Sequence, residues 1–251
     1  MAAILRNRIA IIAGVGPGTG AAISRRFAKA YPVVLLARSR PSLDALVNEI
    51  DESGGSAVGI TADVTNPISM GSALNDIRAQ FGPHLSVGAA IFNVASKFTK
   101  KPFLESNAEE FLGSLEGTAK GAYNFSQSVL PLLLAENKGD MQPQHPSTLI
   151  FTGATAAMKG GSGLGSFAMS KFAVRAMSQS LAREFGPQGV HVAHIIVDGI
   201  IDTEKTKAFD LGNPDSKIDP KMIAESYWFL HTQDRTAFTH ELDLRPYCEM
   251  W

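Results

Sequence analysis

The 251-residue chain holds one cysteine, Cys248. Neither a disulfide framework nor a cysteine metal site can be built from one thiol, and a reducing compartment is expected. Charge bias is also missing: 23 Lys and Arg stand against 24 Asp and Glu, a net charge of -1. This removes the electrostatic case for nucleic acid or an anionic membrane as a partner. No stretch reaches the roughly eighteen unbroken apolar residues of a membrane-spanning helix. The short apolar run after Met1 leads into glycines rather than a small-residue cleavage site, so no signal peptide is expected. His191 and His240 have no metal-ligand spacing, and no metal is expected. What is left is the expectation of a soluble, cytoplasmic protein whose partner is a small molecule.

What is present is 45% hydrophobic residues in a rhythm of short apolar runs and helical patterns. Strands are expected at Arg8–Ala13, Val33–Ala37, Ala57–Ile60, Val87–Asn93, Thr148–Thr152, Val190–Val197 and Leu242–Leu244. Helices are expected at Thr19–Ala30, Leu43–Ile50, Ile68–Phe81, Phe167–Phe185 and Met222–His231, with a long helical stretch at Ala108–Leu134 stopped near Pro131. Alternation of this kind predicts an α/β fold of Rossmann type: a doubly wound parallel β-sheet of roughly seven strands with helices on both faces. One domain over residues 1–251 suits this length. Two polar, proline-bearing regions break the rhythm. Asn137–Ser147 reads as a surface loop. Asp202–Lys221, following a strand's carboxyl end, reads as a substrate lid over the crevice where open α/β sheets bind ligands, and residues 202–232 are assigned to it.

Gly14, Gly18 and Gly20 stand between the first strand and the first helix. Glycine is needed there because the turn is tight, the backbone must approach a pyrophosphate, and the helix N-terminus offers free N–H groups to it. The second strand, VVLLA, runs into Arg38–Ser39–Arg40 with no acidic residue beside it. In Rossmann proteins an acid at this point binds the ribose 2′-hydroxyl, whereas arginine accommodates a 2′-phosphate. A guanidinium gives phosphate bidentate, charge-assisted contacts, so Arg38 points to NADP(H).

The GxxxGxG spacing resembles that of the short-chain dehydrogenase/reductase family, and the resemblance extends over nearly the whole chain. Ala62–Asp63–Val64 resembles the family's DV, which implies a contact of Asp63 and Val64 with the adenine end. Phe92–Asn93–Val94–Ala95 looks like a variant of NNAG, Gly121–Pro131 resembles the fourth-helix segment, and Lys171 matches the lysine of YxxxK. Gly199 and Thr203 match the glycine and threonine after the sixth strand. The resemblance implies cofactor contacts from Asn93, Lys171 and Thr203, and a homodimer or homotetramer. For the oligomer, Phe125, Val129, Leu133, Phe172, Met177 and Leu181 read as apolar residues on more than one face of their helices. The runs TGATAAMKGG, FAMSK, HVAHIIVDG and HELDLRP look like a less-studied, atypical subgroup with FxxxK in place of YxxxK.

The departures lie where that family does its proton transfer. Alignment on Lys171 places Phe167 at the tyrosine and Ala154 at the serine, and Thr118 falls where asparagine is common. A phenyl ring has no proton to give. General acid catalysis is worth about 10²–10⁴ in rate, so the standard mechanism is expected to be impaired. Lys171 follows Phe167 by one turn on the same helix face, so cofactor binding is expected to survive and Phe167 to serve as a pocket wall. Substitute polar groups near the gap are Thr152, Thr155, Ser166, Ser170, His194 and Asp198. Asp198 is ranked above His194 because it stands at a strand's carboxyl end. The catalytic set is then Lys171, Thr155, Phe167 and Asp198. Two functions compete: an NADP(H)-dependent oxidoreductase of a small organic substrate with a non-standard proton donor, and a non-redox cofactor-binding protein such as an isomerase, cyclase or NADP sensor.

Overall fold

A computed structural model describes residues 8–96, 98–136 and 143–250. Seven parallel strands, β1 (Arg8–Ala13), β2 (Val33–Ala37), β3 (Ala57–Thr61), β4 (Ser86–Phe92), β5 (Ser147–Thr152), β6 (Val190–Val197) and β7 (Glu241–Leu244), form one sheet in the order β3-β2-β1-β4-β5-β6-β7. The chain returns across the sheet between β3 and β4. That reversal places the carboxyl ends of β1 and β4 side by side, where a ligand crevice opens in folds of this kind.

The helices are α1 (Thr19–Ala28), α2 (Pro41–Glu52), α3 (Pro67–Phe81), α4 (Ala108–Leu115), α5 (Gly121–Glu136), α6 (Gly165–Phe185) and α7 (Pro220–His231). Strand residues alternate between two apolar layers, as the period of two demands. Ile9, Ile11 and Ala13 belong to the layer with Met70, Phe125 and Val174 of α3, α5 and α6. Ala10 and Ile12 belong to the layer with Ile23, Leu43 and Tyr227 of α1, α2 and α7. Burial of β1, β2, β4, β5 and β6 is nearly complete, which is why these strands read as apolar runs, whereas the edge strand β7 is only partly covered.

Three elements differ from expectation. Pro131 lies inside α5, which continues to Glu136. Gln127, whose carbonyl the missing amide would have served, is exposed like Pro131, so the unserved carbonyl is on the solvent side of the helix rather than in the core. The stretch Ala108–Leu134 is not one regular helix, because a π-helical turn at Glu116–Lys120 separates α4 from α5. The expected lid divides: residues 202–219 are largely irregular, but α7 packs against α1 with Ile223, Ala224, Tyr227 and Leu230 buried. Helices α2, α3 and α7 also begin one or two residues earlier than the apolar pattern indicates, with proline in the first turn. Of the Asn137–Ser147 loop, residues 137–142 lie outside the described residues, and Ser147 already belongs to β5.

Candidate active site

The glycine turn is fixed by steric necessity. Gly14 has φ +88°, and a Cβ on it would stand 2.6 Å from the backbone of Asn93. A Cβ on Gly20 would stand 2.5 Å from the carbonyl oxygen of Gly14. Backbone thus folds onto backbone at the carboxyl ends of β1 and β4, and only glycine leaves the room. Two cavities of about 650 and 700 Å³ meet here and share Gly14, Gly16, Asn93, Ala95 and Lys205. Thr203 lines the cavity of about 650 Å³, its methyl carbon 2.9 Å from where a Cβ of Gly18 would lie.

The larger cavity runs to the end of β2, where Arg38, Ser39, Asp63 and Val64 line it. Arg40 turns away: its Nη1 donates to the carbonyl of Gly59 at 2.9 Å and its Nε to Asp44 at 2.7 Å. Arg38 is exposed on the cavity wall. Asp63 is held below the usual carboxylate range by the hydroxyl and amide of Thr65, which both donate to it, with a smaller contribution from Arg38.

In the other cavity Lys171 is buried at 3% exposure, and its Nζ donates to the carbonyl of Thr152 at 2.9 Å. Burial pushes its ammonium down to about 8, and no neighbouring charge acts against that. The Thr152 hydroxyl donates to Asn93 Oδ1 at 3.0 Å, while Asn93 Nδ2 donates to the carbonyl of Gly14 at 3.0 Å. With its one proton so used, Thr152 accepts from the hydroxyl of Tyr227 at 2.6 Å. A single hydrogen-bonded chain therefore runs from α7 through β5 and β4 to the glycine turn. Tyr227 and its place in this chain were not legible in the sequence.

Phe167, Ala154 and Thr155 line the same cavity as Lys171. The Lys171 Nζ is 6.0 Å from the centre of the Phe167 ring, and Phe98 meets that ring edge-on at 5.2 Å. Thr118 does not line this cavity; it sits in the π-helical turn and binds Ser96, accepting from the amide at 3.0 Å and donating to the hydroxyl at 3.1 Å. Ser166 and Ser170 give their protons to the backbone carbonyls of Phe111 and Phe167. Neither lines the cavity.

Asp198 is not on the cavity wall. It accepts a short hydrogen bond from Thr155 and lies 3.5 Å from Arg245 Nη2. His194 is fully buried, and desolvation pushes it down to about 4. The neutral ring donates from Nδ1 to Glu241 at 3.0 Å, and Glu241 is held by the Arg175 fork at 2.7 Å through each oxygen. Nε2 is left facing Gly153, where a Cβ would come within 2.4 Å of it. His191 donates from Nε2 to the carbonyl of Thr239 at 2.8 Å and stacks on Phe238 at 4.2 Å.

The short chain dehydrogenase family profile matches residues 8–213. A short-chain dehydrogenase from Rhodopseudomonas palustris is 32% identical and superposes with a TM-score of 0.78, covering 96% of this chain and 100% of that one. A metagenomic short-chain oxidoreductase, crystallised in complex with NADP, superposes with a TM-score of 0.78 at 21% identity over 98% of this chain and 99% of that one. An uncharacterized oxidoreductase of Staphylococcus epidermidis is 25% identical over 243 residues, 96% of this chain and 98% of the relative. With the glycine turn, the seven-stranded sheet and the matched profile in agreement, this chain belongs to the short-chain dehydrogenase family of oxidoreductases.

Proposed function

We propose that the chain is an NADP(H)-dependent oxidoreductase of a small organic substrate, working without the phenol and serine hydroxyl that usually flank the reacting atoms in this family. The observation that carries this is the continuity of the two cavities, with Arg38 at one end and Lys171 at the other. The residues fit a dinucleotide: a backbone cradle that a Cβ would fill at Gly14 and Gly20, and a buried ammonium with donors to spare. The metagenomic relative holds NADP on the same fold. When bound, the nicotinamide supplies a hydride to the substrate or takes one from it.

The chain's own residues divide the remaining work. The Gly14, Gly18 and Gly20 turn holds the pyrophosphate, Arg38 the 2′-phosphate, and Asp63, Val64 and Asn93 the adenosine side. Lys171 donates to the ribose hydroxyls, and Thr203, Glu204 and Lys205 form the part of the lid that reaches the crevice. Phe167 and Phe98 wall the substrate space and exclude water from it. Thr155 is the hydroxyl that stands at the substrate. Its proton is directed to Asp198, which stands beside the Arg245 guanidinium, so Thr155 presents an acceptor oxygen rather than an acid. A substrate hydroxyl or N–H binds to it, and in oxidation the substrate proton passes to Thr155 as the threonine proton passes to Asp198. Reduction runs the same relay backwards and needs a proton delivered to Asp198 first, which favours activated carbon–carbon and imine bonds, less dependent on an acid, over simple ketones.

Titration calorimetry tests the cofactor assignment. NADPH binds more tightly than NADH, and Arg38→Asp removes the difference; equal affinities in the wild type refute it. Loss of NADPH absorbance over a panel of enones, imines and carbonyls, read with product mass, tests turnover. One observation favours the second reading: a methyl at Ala154 and a phenyl at Phe167 leave no acid on that wall. Tight NADPH binding with no product across the panel would select the non-redox protein.

A further inference from the structure

Lysine is rarely buried without a partner of opposite charge, because removing an ammonium from water costs several kcal/mol. Lys171 is such a case. It is almost wholly shielded from solvent, its one hydrogen bond goes to a neutral carbonyl, and its neighbour across the helix turn is the Phe167 ring rather than a group that could bind Nζ. Yet Lys171 lines a cavity of about 650 Å³ whose other faces include Phe98, Leu164 and Ala154, and its Nζ lies 6.0 Å from the centre of the Phe167 ring on the same wall. A desolvated amine opening on an apolar cavity is the arrangement in which lysine becomes a nucleophile toward carbonyl carbon.

We propose that in the cofactor-free protein Lys171 is a covalent carbonyl-binding site, taking aldehydes, aromatic ones foremost, as an imine, and that NADP(H) and these carbonyls exclude one another there. The exclusion rests on the cofactor reading above; the imine rests on the geometry alone. The step is balanced without an oxidant or reductant. The amine, freed of its extra proton to solvent, attacks the carbonyl carbon through the Nζ lone pair. The carbonyl oxygen leaves as water with the two remaining amine protons, and a C=N bond replaces C=O. Lys159 and Lys205 line the same cavity but are exposed, so water hydrates their ammonium groups and reverses any imine formed on them. The aromatic preference follows from the edge-on Phe98–Phe167 pair, which offers a third ring a wall.

The test uses the wild-type chain stripped of cofactor, with benzaldehyde and sodium cyanoborohydride to fix any imine, followed by intact mass and peptide mapping. One benzyl group is expected, on Lys171, arriving at least ten times faster than on any other lysine. Saturating NADP⁺, which cannot reduce the aldehyde, should slow it at least tenfold. Lys171→Met should show no such mark while keeping the wild-type circular dichroism spectrum. Labels scattered over exposed lysines with Lys171 untouched would overturn the imine. Labelling of Lys171 at an unchanged rate, with calorimetry showing NADP⁺ bound, would overturn the exclusion. If calorimetry shows no cofactor binding, the cofactor reading and the exclusion both fall, and the peptide map still decides the imine.

Discussion

Replacing Lys171 by methionine should stabilise the fold while disabling the crevice. Burial takes the lysine from 10.5 down to about 8. At about 1.4 kcal/mol for each tenfold change, that gap corresponds to about 3 kcal/mol of cost at neutral pH. The hydrogen bond to Thr152 is lost with the ammonium, which reduces the gain to roughly 2 kcal/mol. Methionine fits, being unbranched and of similar length. Below pH 8 the lysine is charged in both states and the folded state bears the full cost. Between pH 8 and 10.5 the unfolded chain binds more protons at this position than the folded one, so wild-type stability rises with pH. Above 10.5 the cost is gone. Urea unfolding of wild type and Lys171→Met at pH 7, 8, 9 and 10 measures this. The variant should be the more stable at pH 7, with Tm raised by about 2–4 °C per kcal/mol for a chain of this size, and the advantage should vanish toward pH 10.5. A variant less stable at pH 7, or an advantage independent of pH, would refute the argument. Calorimetry on the same variant should show NADPH affinity lowered at least tenfold.

Three further outcomes are expected. Phe167→Tyr with Ala154→Ser should raise kcat/KM for NADPH-dependent reduction of a simple aryl ketone by about 10²-fold or more, because an acid and an oxygen-binding hydroxyl then stand beside Lys171; a double mutant that binds NADPH but stays inactive would show that the pocket does not present a carbonyl. Thr155→Val should lower kcat/KM about 5–30-fold on a substrate with a hydroxyl or N–H, with Thr155→Ser restoring it and NADPH affinity unmoved. Light scattering at micromolar concentration should show a dimer or larger, since Leu112, Tyr123 and Phe172 on α4, α5 and α6 are each more than 40% exposed; a monomer would contradict it.

The sheet and its helices were legible because the inner strands are buried on both faces and each helix carries an apolar stripe, both local signals. Strand positions agree to within a residue or two. Prolines misled in both directions: at Pro41, Pro67 and Pro220 they begin helices, and at Pro131 one is tolerated on an exposed face. The inference from apolar residues on α5 and α6 to an oligomer was mistaken in five of its six residues, since Phe125, Val129 and Leu133 are fully buried within this chain and Met177 and Leu181 pack against the same layer, while Phe172 is exposed. At the site, Gly14, Gly20 and Lys171 could be picked out from sequence because the strand–turn–helix spacing and the FxxxK run around them are local patterns, even though their contacts with Asn93 and Thr152 are distant ones. Asp198 was read as facing the crevice, and its partnership with Thr155 and Arg245 was not foreseen. That pairing depends on the β6–β7 register, in which His194 is opposite Glu241. The two runs HVAHIIVDG and HELDLRP turn out to be adjacent strands whose side chains, His194 with Glu241 and Asp198 with Arg245, meet. Sequence separation hides such pairs.

The contact between Gly153 and the His194 ring has a bearing on how this protein can diverge. Any side chain at 153 collides with the imidazole, and moving the imidazole releases one of the two groups that hold Glu241, disturbing β7 beside Arg245 and Asp198. Either change made first yields a weakened protein: alanine at 153 has no space, and a smaller residue at 194 leaves a hole in the core and a carboxylate short of a donor. Nor do the two compensate together, because a Cβ at 153 would still stand 2.8 Å from the backbone carbonyl oxygen of Ile195. Lineages descended from this sequence should therefore keep glycine at 153 whatever becomes of the histidine.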